Sequence, residues 1–350
     1  MPVNDRVIYA NCHLSFQPDG NTNAQPSGLH GLQSVTLDTA YNTEDVNELG
    51  QLDKYDTKEN VPTVTATIEK VLDGNTLIYH AATQDGTGAT LNARAINMKP
   101  TILKIAVFNQ GHDAASGTPL AVTICSGMFI DSLAYRFPSE GNFTESVTFV
   151  GTSKIWATGS SAGNIFTGQF ASGYFGGPAG PDTPAEGVER REDLDMTNSV
   201  WPTQIHGITG AGANPDLGTK FTAHISSAEV TANLGRKDLF ELGKKKAYYK
   251  LAQVPVEVLT EIEVITNEFM DNILARDDGP SNITNNQIRI RTANGVDVYM
   301  GTKNTINNVS WQGLDTGGGE FRARFSYRNV NIMTVTDPTA GGDPLAKSYP

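Results

Sequence analysis

The sequence predicts a mainly β protein, with two tandem antiparallel β-sandwich or barrel-like domains and a short helix flanking each. Three observations point to this class. Thr, Val, Ile, Asn, Gly and Asp are abundant, several segments alternate apolar and polar residues, and one ordered series of motifs occurs twice in the 350 residues. β-Branched residues suit a pleated, half-buried surface, and Gly, Asn and Asp suit turns. We therefore expect short strands joined by tight turns.

Three segments show the two-residue period of a half-buried strand. Residues 63–68 alternate threonine with Val, Ala and Ile, so that the apolar side chains share one face. Residues 287–291 alternate Ile with Arg or Gln, and residues 321–327 place aromatic side chains on the inward face. The segments 294–295 and 316–319 are rich in Gly and are typical of turns between such strands.

Two segments have the spacing of short amphipathic helices. Residues 267–276 place four apolar side chains on one face, with a capping residue before them and Arg276 at the end. Residues 75–82 form a weaker counterpart after a turn at Gly74. We expect each domain to carry one of these helices.

An ordered series of motifs occurs twice, which indicates a duplicated unit. Its members are a Glu-Leu-Gly motif, a tyrosine and a proline, namely Glu48, Leu49, Gly50, Tyr55 and Pro62 in the first copy and Glu241, Leu242, Gly243, Tyr248 and Pro255 in the second. All five pairs are 193 residues apart, and an alternating strand follows each proline. The alternative explanation is two unrelated β domains that share turn glycines and alternation.

The repeat divides the chain into five segments. We predict an N-terminal arm at 1–27, a first domain at 28–156, a Gly/Pro-rich linker or extended loop at 157–200, a second domain at 201–337 and a C-terminal arm at 338–350. The N-terminal arm contains an apolar stretch that would add an edge strand.

The charge balance argues against a nucleic-acid-binding role. The chain has 26 basic and 38 acidic residues, a formal net charge of −12, whereas nucleic-acid binding needs a basic patch. Most of the excess negative charge falls on the first copy and the linker. The basic run 244–246 would either bind an acidic partner, such as the first copy of a neighbouring subunit, or form a solvated loop.

The sequence also argues against a membrane protein and against a disulfide-rich protein. Two cysteines are too few for a disulfide framework, and no apolar window reaches the length of a transmembrane helix. The N-terminus has neither the basic nor the apolar region of a secretory signal. We expect a soluble protein made in a reducing cytoplasm, with no membrane contact.

Signatures of catalysis and metal binding are absent or out of context. Residues 159–163 match the G-x-S-x-G pattern, but no helix pattern follows the serine, as a nucleophile elbow requires. The six histidines show no metal-ligand spacing, and Cys125 lies in an apolar strand pattern as a small buried residue would. We predict no catalytic site, no metal site and no cofactor, and therefore a protein that is not an enzyme.

The repeated motifs resemble those of the tail-tube (major tail) proteins of long-tailed bacteriophages. The resemblance lies in residues 32–38, in the Glu-Leu-Gly motif with its tyrosine and proline, and in the strand that begins at Thr63. The second copy repeats this series, and the closing strand at 143–151 is also similar to the last strand of that family. The resemblance covers most of the chain through short motifs.

The resemblance implies sandwich domains that form rings of six, with one sheet lining a lumen and an extended loop joining stacked rings. Because this chain has two such domains, a homotrimer would form a pseudo-hexameric ring. The stacking loops would be residues 38–63 and 232–254, and the ten repeated motif residues would serve assembly. Neither loop shows a strand pattern, so we expect arms that become ordered only against a neighbour.

The function implied is that of a structural virion protein, assembled in the host cytoplasm, that polymerises into the phage tail tube. Double-stranded DNA would pass through without specific binding, because its affinity for proteins comes from Lys and Arg. Sheath, tail terminator, tape-measure and baseplate proteins would be further partners. The alternatives are a single-ring tail component (a tube initiator or distal tail ring), a tube-like secretion component, or a glycan-binding adhesin.

Overall fold

The computed structural model describes residues 12–18, 27–28, 31–83, 89–90, 100–108, 119–158, 187–202, 205, 223–244, 247–266, 284–313 and 321–336. Its elements in chain order are β1 (Cys12–Pro18), β2 (Ser27–Gly28), β3 (Leu32–Ala40), β4 (Thr43–Asn47), β5 (Lys54–Glu59), β6 (Thr63–Val71), α1 (Ile78–Thr83), β7 (Ala89–Thr90), β8 (Thr101–Val107), β9 (Ala121–Pro138), β10 (Thr144–Gly151), β11 (Ser153–Thr158), β12 (Ala223–Asn233), β13 (Arg236–Leu239), β14 (Tyr249–Ala252), β15 (Glu257–Thr266), β16 (Arg289–Arg291), β17 (Asp297–Tyr299), β18 (Thr305–Gln312), β19 (Arg322–Val330) and β20 (Thr334–Thr336). Strands dominate, and the strand pairs are antiparallel, which confirms the predicted mainly β class.

One sheet runs through both halves of the chain along the path β18-β19-β15-β12-β9-β10-β6-β3. It consists of two four-stranded blocks with the same order, β18-β19-β15-β12 and β9-β10-β6-β3, in which β12 corresponds to β3 and β18 to β9. A β-bulge falls at Gln33 in β3 and at Ser226 in β12, and a second bulge falls at Asp131 in β9 and at Asn307 in β18. Bulges are position-specific features, so the shared order and bulges support a duplicated unit.

A smaller sheet covers each block. Beside the first block, β9 continues past Gly127 (φ 66°), and its N-terminal half lies between β8 and β11. β1 adds to β8, so part of the predicted N-terminal arm is a strand, with Leu14 and Phe16 buried. Beside the second block, β16, β17 and β20 form the corresponding sheet, and β7 from the first half of the chain pairs with β20.

The core lies between each block and its smaller sheet. The predicted inward residues of β6 are buried, namely Val64, Ala66 and Ile68. Ile288 and Ile290 at β16 and Phe325 and Tyr327 in β19 are buried as well. Phe321, which is also predicted to face inward, is half-buried just before β19. Cys125 is also buried in β9, as the sequence predicts. The alternation of these strands therefore assigns one face of the long sheet to the core and leaves the other face polar.

The helix α1 begins at Ile78, three residues later than the pattern from Asn75 predicts. Asn75 instead belongs to a turn in which its backbone N–H donates to Asp73 Oδ1 at 3.1 Å. The predicted second helix at 267–276, the turn at 316–319 and the G-x-S-x-G motif at 159–163 lie outside the described residues.

A buried carboxylate fixes the start of α1. Glu145 in β10 accepts hydrogen bonds from the backbone N–H groups of Ile78 (2.6 Å) and Tyr79 (3.1 Å) and from the hydroxyl of Tyr135 (2.9 Å). Burial raises the pKa of Glu145 to about 7, against the lowering effect of these hydrogen bonds and of the charge on Lys70. Sequence reasoning missed this network, although the alternation of β10 puts Glu145 on the same face as the buried Val147 and Phe149.

Of the two described blocks, only the first contains this network. Lys70, Tyr135 and Glu145 correspond by strand register to Val264, Trp311 and Ala323. The second block thus has apolar or aromatic side chains where the first has a polar network. The two copies share their strand order and differ in how they hold the layer beside the sheet.

Residues 187–200 lie within the predicted linker and connect the two halves. The backbone N–H of Glu189 donates to Leu72 O (2.8 Å), and its carbonyl accepts from Phe143 N (3.0 Å). Its side chain accepts from the backbone N–H of Asn294 in the second half at 3.3 Å. Further along, Val200 forms a β-bridge with Arg289. This part of the segment is hydrogen-bonded to both copies.

We expect Glu145→Ala to destabilise the fold strongly. The change removes the hydrogen bonds that Glu145 accepts from three buried donors, and a buried donor that loses its acceptor costs about 1–3 kcal/mol. The free energy of unfolding should fall by roughly 3 kcal/mol or more, as measured by urea denaturation with tryptophan fluorescence. Ser146→Ala, on the polar face of the same strand, is the matched control, and equal midpoints for the two variants would contradict the assigned role.

We expect Glu189→Gln to reduce the pH dependence of stability. Burial raises the pKa of Glu189 to about 7 from 4.5, so the unfolded chain releases this proton first as the pH rises. The unfolding free energy of the unmodified protein should therefore fall between about pH 4.5 and pH 7 through this group. Urea midpoints at pH 5 and pH 8 should show a smaller drop for Glu189→Gln, whereas the exposed control Glu192→Gln should behave like the parent.

Candidate assembly surfaces

The two predicted stacking segments contain β-hairpins, which corrects the expectation of arms without strand structure. β4 pairs with β5, and β13 pairs with β14. The strands of the first hairpin are exposed on both faces, so they lack the apolar period that reveals a half-buried strand. Polar contacts join them instead, since Lys54 Nζ lies 2.5 Å from Asp45 Oδ2 and Thr57 Oγ1 donates to Asp45 Oδ1 at 3.1 Å.

Both hairpins end in the same turn, formed by the Glu-Leu-Gly motif. In each, the glutamate carbonyl accepts from the backbone N–H three residues later at 3.3 Å. The third turn residue has a positive φ, 94° at Gly50 and 84° at Gly243. Glycine is favoured at this position of a type II turn because it has no Cβ. The leucine before it, Leu49 or Leu242, is held fully exposed.

The hairpins carry a cluster of exposed apolar side chains. Besides the two tip leucines, these are Leu52 and Tyr55 on the first hairpin and Phe240 and Tyr248 on the second. Pro62 and Pro255 lie at the bases of the hairpins, one residue before β6 and two residues before β15. Grouped apolar side chains on protruding elements are typical of surfaces that contact another molecule. The structure thus places the motif residues on two equivalent protrusions, eight on the hairpins and two at their bases.

The two hairpins have opposite charge and leave the sheet at the same rim. Residues 43–59, the acidic hairpin, contain six acidic and two basic residues, and residues 236–252, the basic hairpin, contain six basic and two acidic residues. β3 and β12 run in the same direction, because each lies antiparallel to the strands between them. Both hairpins therefore project from one end of the strands, the hairpin rim.

The long sheet ends in two strands, β3 and β18, whose outer edges are unpaired within the described part of the chain. Inside the chain, the strands that correspond to them pair with each other: β9 joins β12 over seven residue pairs. At that junction Leu133, Tyr135 and Val230 are buried. The free edges carry apolar residues at matching positions that are half-exposed, namely Leu37, Val309 and Trp311. Sequence reasoning missed these edges, which the order of the repeated strands would have identified.

The polar face of the long sheet has few unpaired positive charges. The first block presents mainly Thr and Ser there, and the hydroxyls of Thr67 and Thr148 lie 3.3 Å apart. The second block presents Arg and Glu on neighbouring strands. Its arginines and the one in β9 form ion pairs, which are Arg136–Glu229, Arg322–Glu263, Arg324–Glu261 and Arg328–Glu257. The face is thus polar, and most of its positive charge is neutralised by neighbouring glutamates.

Neither a metal centre nor a membrane helix emerges from the described ranges. No three His, Cys, Asp or Glu side chains come together there as a metal ion would require. None of the helical segments described is long and apolar enough to cross a bilayer.

Comparison with known proteins gives structural neighbours of low similarity. No family model and no curated protein matches the chain. The anti-feeding prophage cap, a tube-terminating cap, superposes on 45% of this chain and 95% of its own, with 14% identity and a TM-score of 0.34. The anti-feeding prophage baseplate superposes on 45% of this chain and 98% of its own, with 8% identity and a TM-score of 0.33.

Proposed function

We propose that the protein is a non-enzymatic structural protein of a phage tail, whose homotrimers form pseudo-hexameric rings that stack into the tail tube. The observation that supports this most strongly is the β9–β12 junction. It joins the last strand of one block to the first strand of the next and leaves the same two kinds of edge free at the ends.

A junction of this type is heterologous, so repeating it gives a ring if the rotation closes. Between chains it would join β18 of one copy to β3 of the next. Three copies of the eight-strand path would supply twenty-four strands, and closure would leave no unpaired sheet edge. The half-exposed Leu37 and Trp311 would then become buried as their counterparts at the internal junction are.

The polar face of such a ring would line the lumen. The apolar face of each block is already covered by a smaller sheet, so only the polar face remains for the inside. Its arginines are paired with glutamates, and its first block is rich in hydroxyl groups. Because phosphate binding depends on unpaired Lys and Arg, this lining would let double-stranded DNA pass without holding it.

The hairpins support stacking over a single closed ring. Both hairpins lie at the hairpin rim. If the hairpin rim of one ring contacts the opposite rim of the next ring, the last ring of the stack still has a free hairpin rim. Such a contact propagates as an open-ended tube. Sheath, terminator, tape-measure and baseplate proteins are the further partners of this role in the virion tail.

The ring contact predicts a specific residue pairing that disulfide formation can test. Thr36 and Gln312 correspond to Glu229 and Arg136, which are directly opposed at the internal junction. In a Cys12→Ser background, Thr36→Cys with Gln312→Cys should give a covalent trimer on a non-reducing gel, and negative-stain microscopy should show three-fold rings and tubes. Thr36→Cys with Asn308→Cys is the control, because four residues of register separate them by about 14 Å.

Three outcomes would count against the proposed tube. A protein that stays monomeric and forms no crosslink with either cysteine pair would exclude this edge contact. Rings that never stack would favour a tube initiator or distal tail ring. A monomer that binds glycans would favour an adhesin.

The neutralised lining predicts that DNA binding appears once the pairs are broken. Glu257→Gln with Glu261→Gln and Glu263→Gln removes the carboxylates that pair with three arginines on the polar face. We expect trimers of this variant to retain linear double-stranded DNA at low salt, with log K falling by about 0.9 per decade of salt for each arginine that contacts a phosphate. Thr65→Asn with Thr67→Asn changes the same face without charge and should not retain DNA. Equal DNA retention by both variants would contradict the electrostatic account.

A further inference from the structure

A cavity of about 510 Å³ lies at the rim opposite the hairpins, where the two halves of the chain meet. Its walls come from the end of β9, the start of β12 and the segment 187–202. Its lining includes Phe137, Arg191, Leu194, Met196, Trp201 and His224. We call this cavity the junction socket.

The lining combines an apolar floor with groups that favour the binding of an acidic segment. Arg191 and His224 are its charged or titratable residues, and no carboxylate lines it. The indole Nε1 of Trp201 is buried and donates to no acceptor among the described residues. Glu192 lies near the mouth, with one oxygen 4.0 Å from Arg191 Nε, but the Arg191 side chain is 72% exposed and remains available.

The socket cannot receive a hairpin of its own chain. It lies at the start of β12, whereas both hairpins leave at the opposite ends of the strands. About eight residues of β12 separate the socket from the hairpin rim, which is a distance of about 27 Å. The hairpins extend further away from the socket. A hairpin that enters the socket must therefore belong to a second copy in the next ring.

We propose that the junction socket receives the tip of the acidic hairpin of a second copy. Leu49 and Leu52 are fully exposed at that tip and would fill the apolar floor, while Glu48 and Asp53 beside them would meet Arg191. This inference rests on the proposed stacking of rings and names the surfaces that carry it.

The acidic hairpin fits better than the basic one for two reasons. It carries two fully exposed leucines at its tip, whereas the basic hairpin carries one, Leu242. The basic hairpin would also bring the lysines of 244–246 against Arg191. Like charges at an interface disfavour the wrong partner, so the socket discriminates between two otherwise equivalent hairpins.

Disulfide capture tests the contact directly. In the Cys12→Ser background, Leu49→Cys with Met196→Cys should give covalent ladders under mild oxidation, and only once tubes have formed. Leu242→Cys with Met196→Cys is the matched control, since it presents the basic hairpin to the same socket. Tubes that crosslink only through Leu242→Cys, or through neither pair, would overturn the socket assignment while leaving the stacking of rings intact.

Charge reversal gives an independent readout. Arg191→Glu should slow tube elongation roughly tenfold or more at low salt, because it turns attraction at the socket into repulsion. Adding Glu48→Lys and Asp53→Lys should restore most of the rate, whereas adding Glu241→Lys on the basic hairpin should not. Unchanged elongation of Arg191→Glu would contradict the proposal. Trimers that close through Thr36→Cys and Gln312→Cys but never stack would contradict both the tube and the socket.

Discussion

The pairing of β9 with β12 is the contact on which the rest of the structure depends. It merges two four-stranded blocks into one sheet and places their polar faces on the same side. It also fixes what remains unpaired, since the backbone groups at the outer edges of β3 and β18 are those that the internal junction uses elsewhere. A long exposed sheet edge is a liability for a monomer, because it pairs with other chains. In the proposed ring, the internal junction would be the template for the contact between chains.

In the proposed tube, the remaining features would divide assembly among separate surfaces. The sheet edges would form contacts around a ring, the hairpin rim and the junction socket would form contacts between rings, and the polar face would line the interior. Buried polar residues hold these surfaces in place: Glu145 anchors α1 beside the first block, and Glu189 connects both halves. The chain can vary one surface without rebuilding another, because each lies on a different part of the sheet.

The sequence allowed the strands to be predicted where burial imposes a period, and not where it does not. Alternation located β6 and β19, and the Glu-Leu-Gly motifs marked the two segments that contain the hairpins, without predicting the hairpins themselves. The hairpin strands themselves escaped prediction because β5 is exposed on both faces, and α1 begins later because a turn at Asp73 competes for Asn75. The free edges and the junction socket depend on which strands become neighbours, which is information that no local pattern of residues contains.

The opposite charges of the two hairpins have a consequence for how rings would be aligned. Six identical domains make every one-domain rotation of a ring equivalent, so a stack can slip without penalty. Here the rim would alternate between acidic and basic protrusions, and a one-domain rotation would present each to the wrong site. The duplicated chain would thus fix the rotation of each ring relative to the next. A long polymer would then have a single helical phase, which a ring with exact six-fold symmetry could not specify.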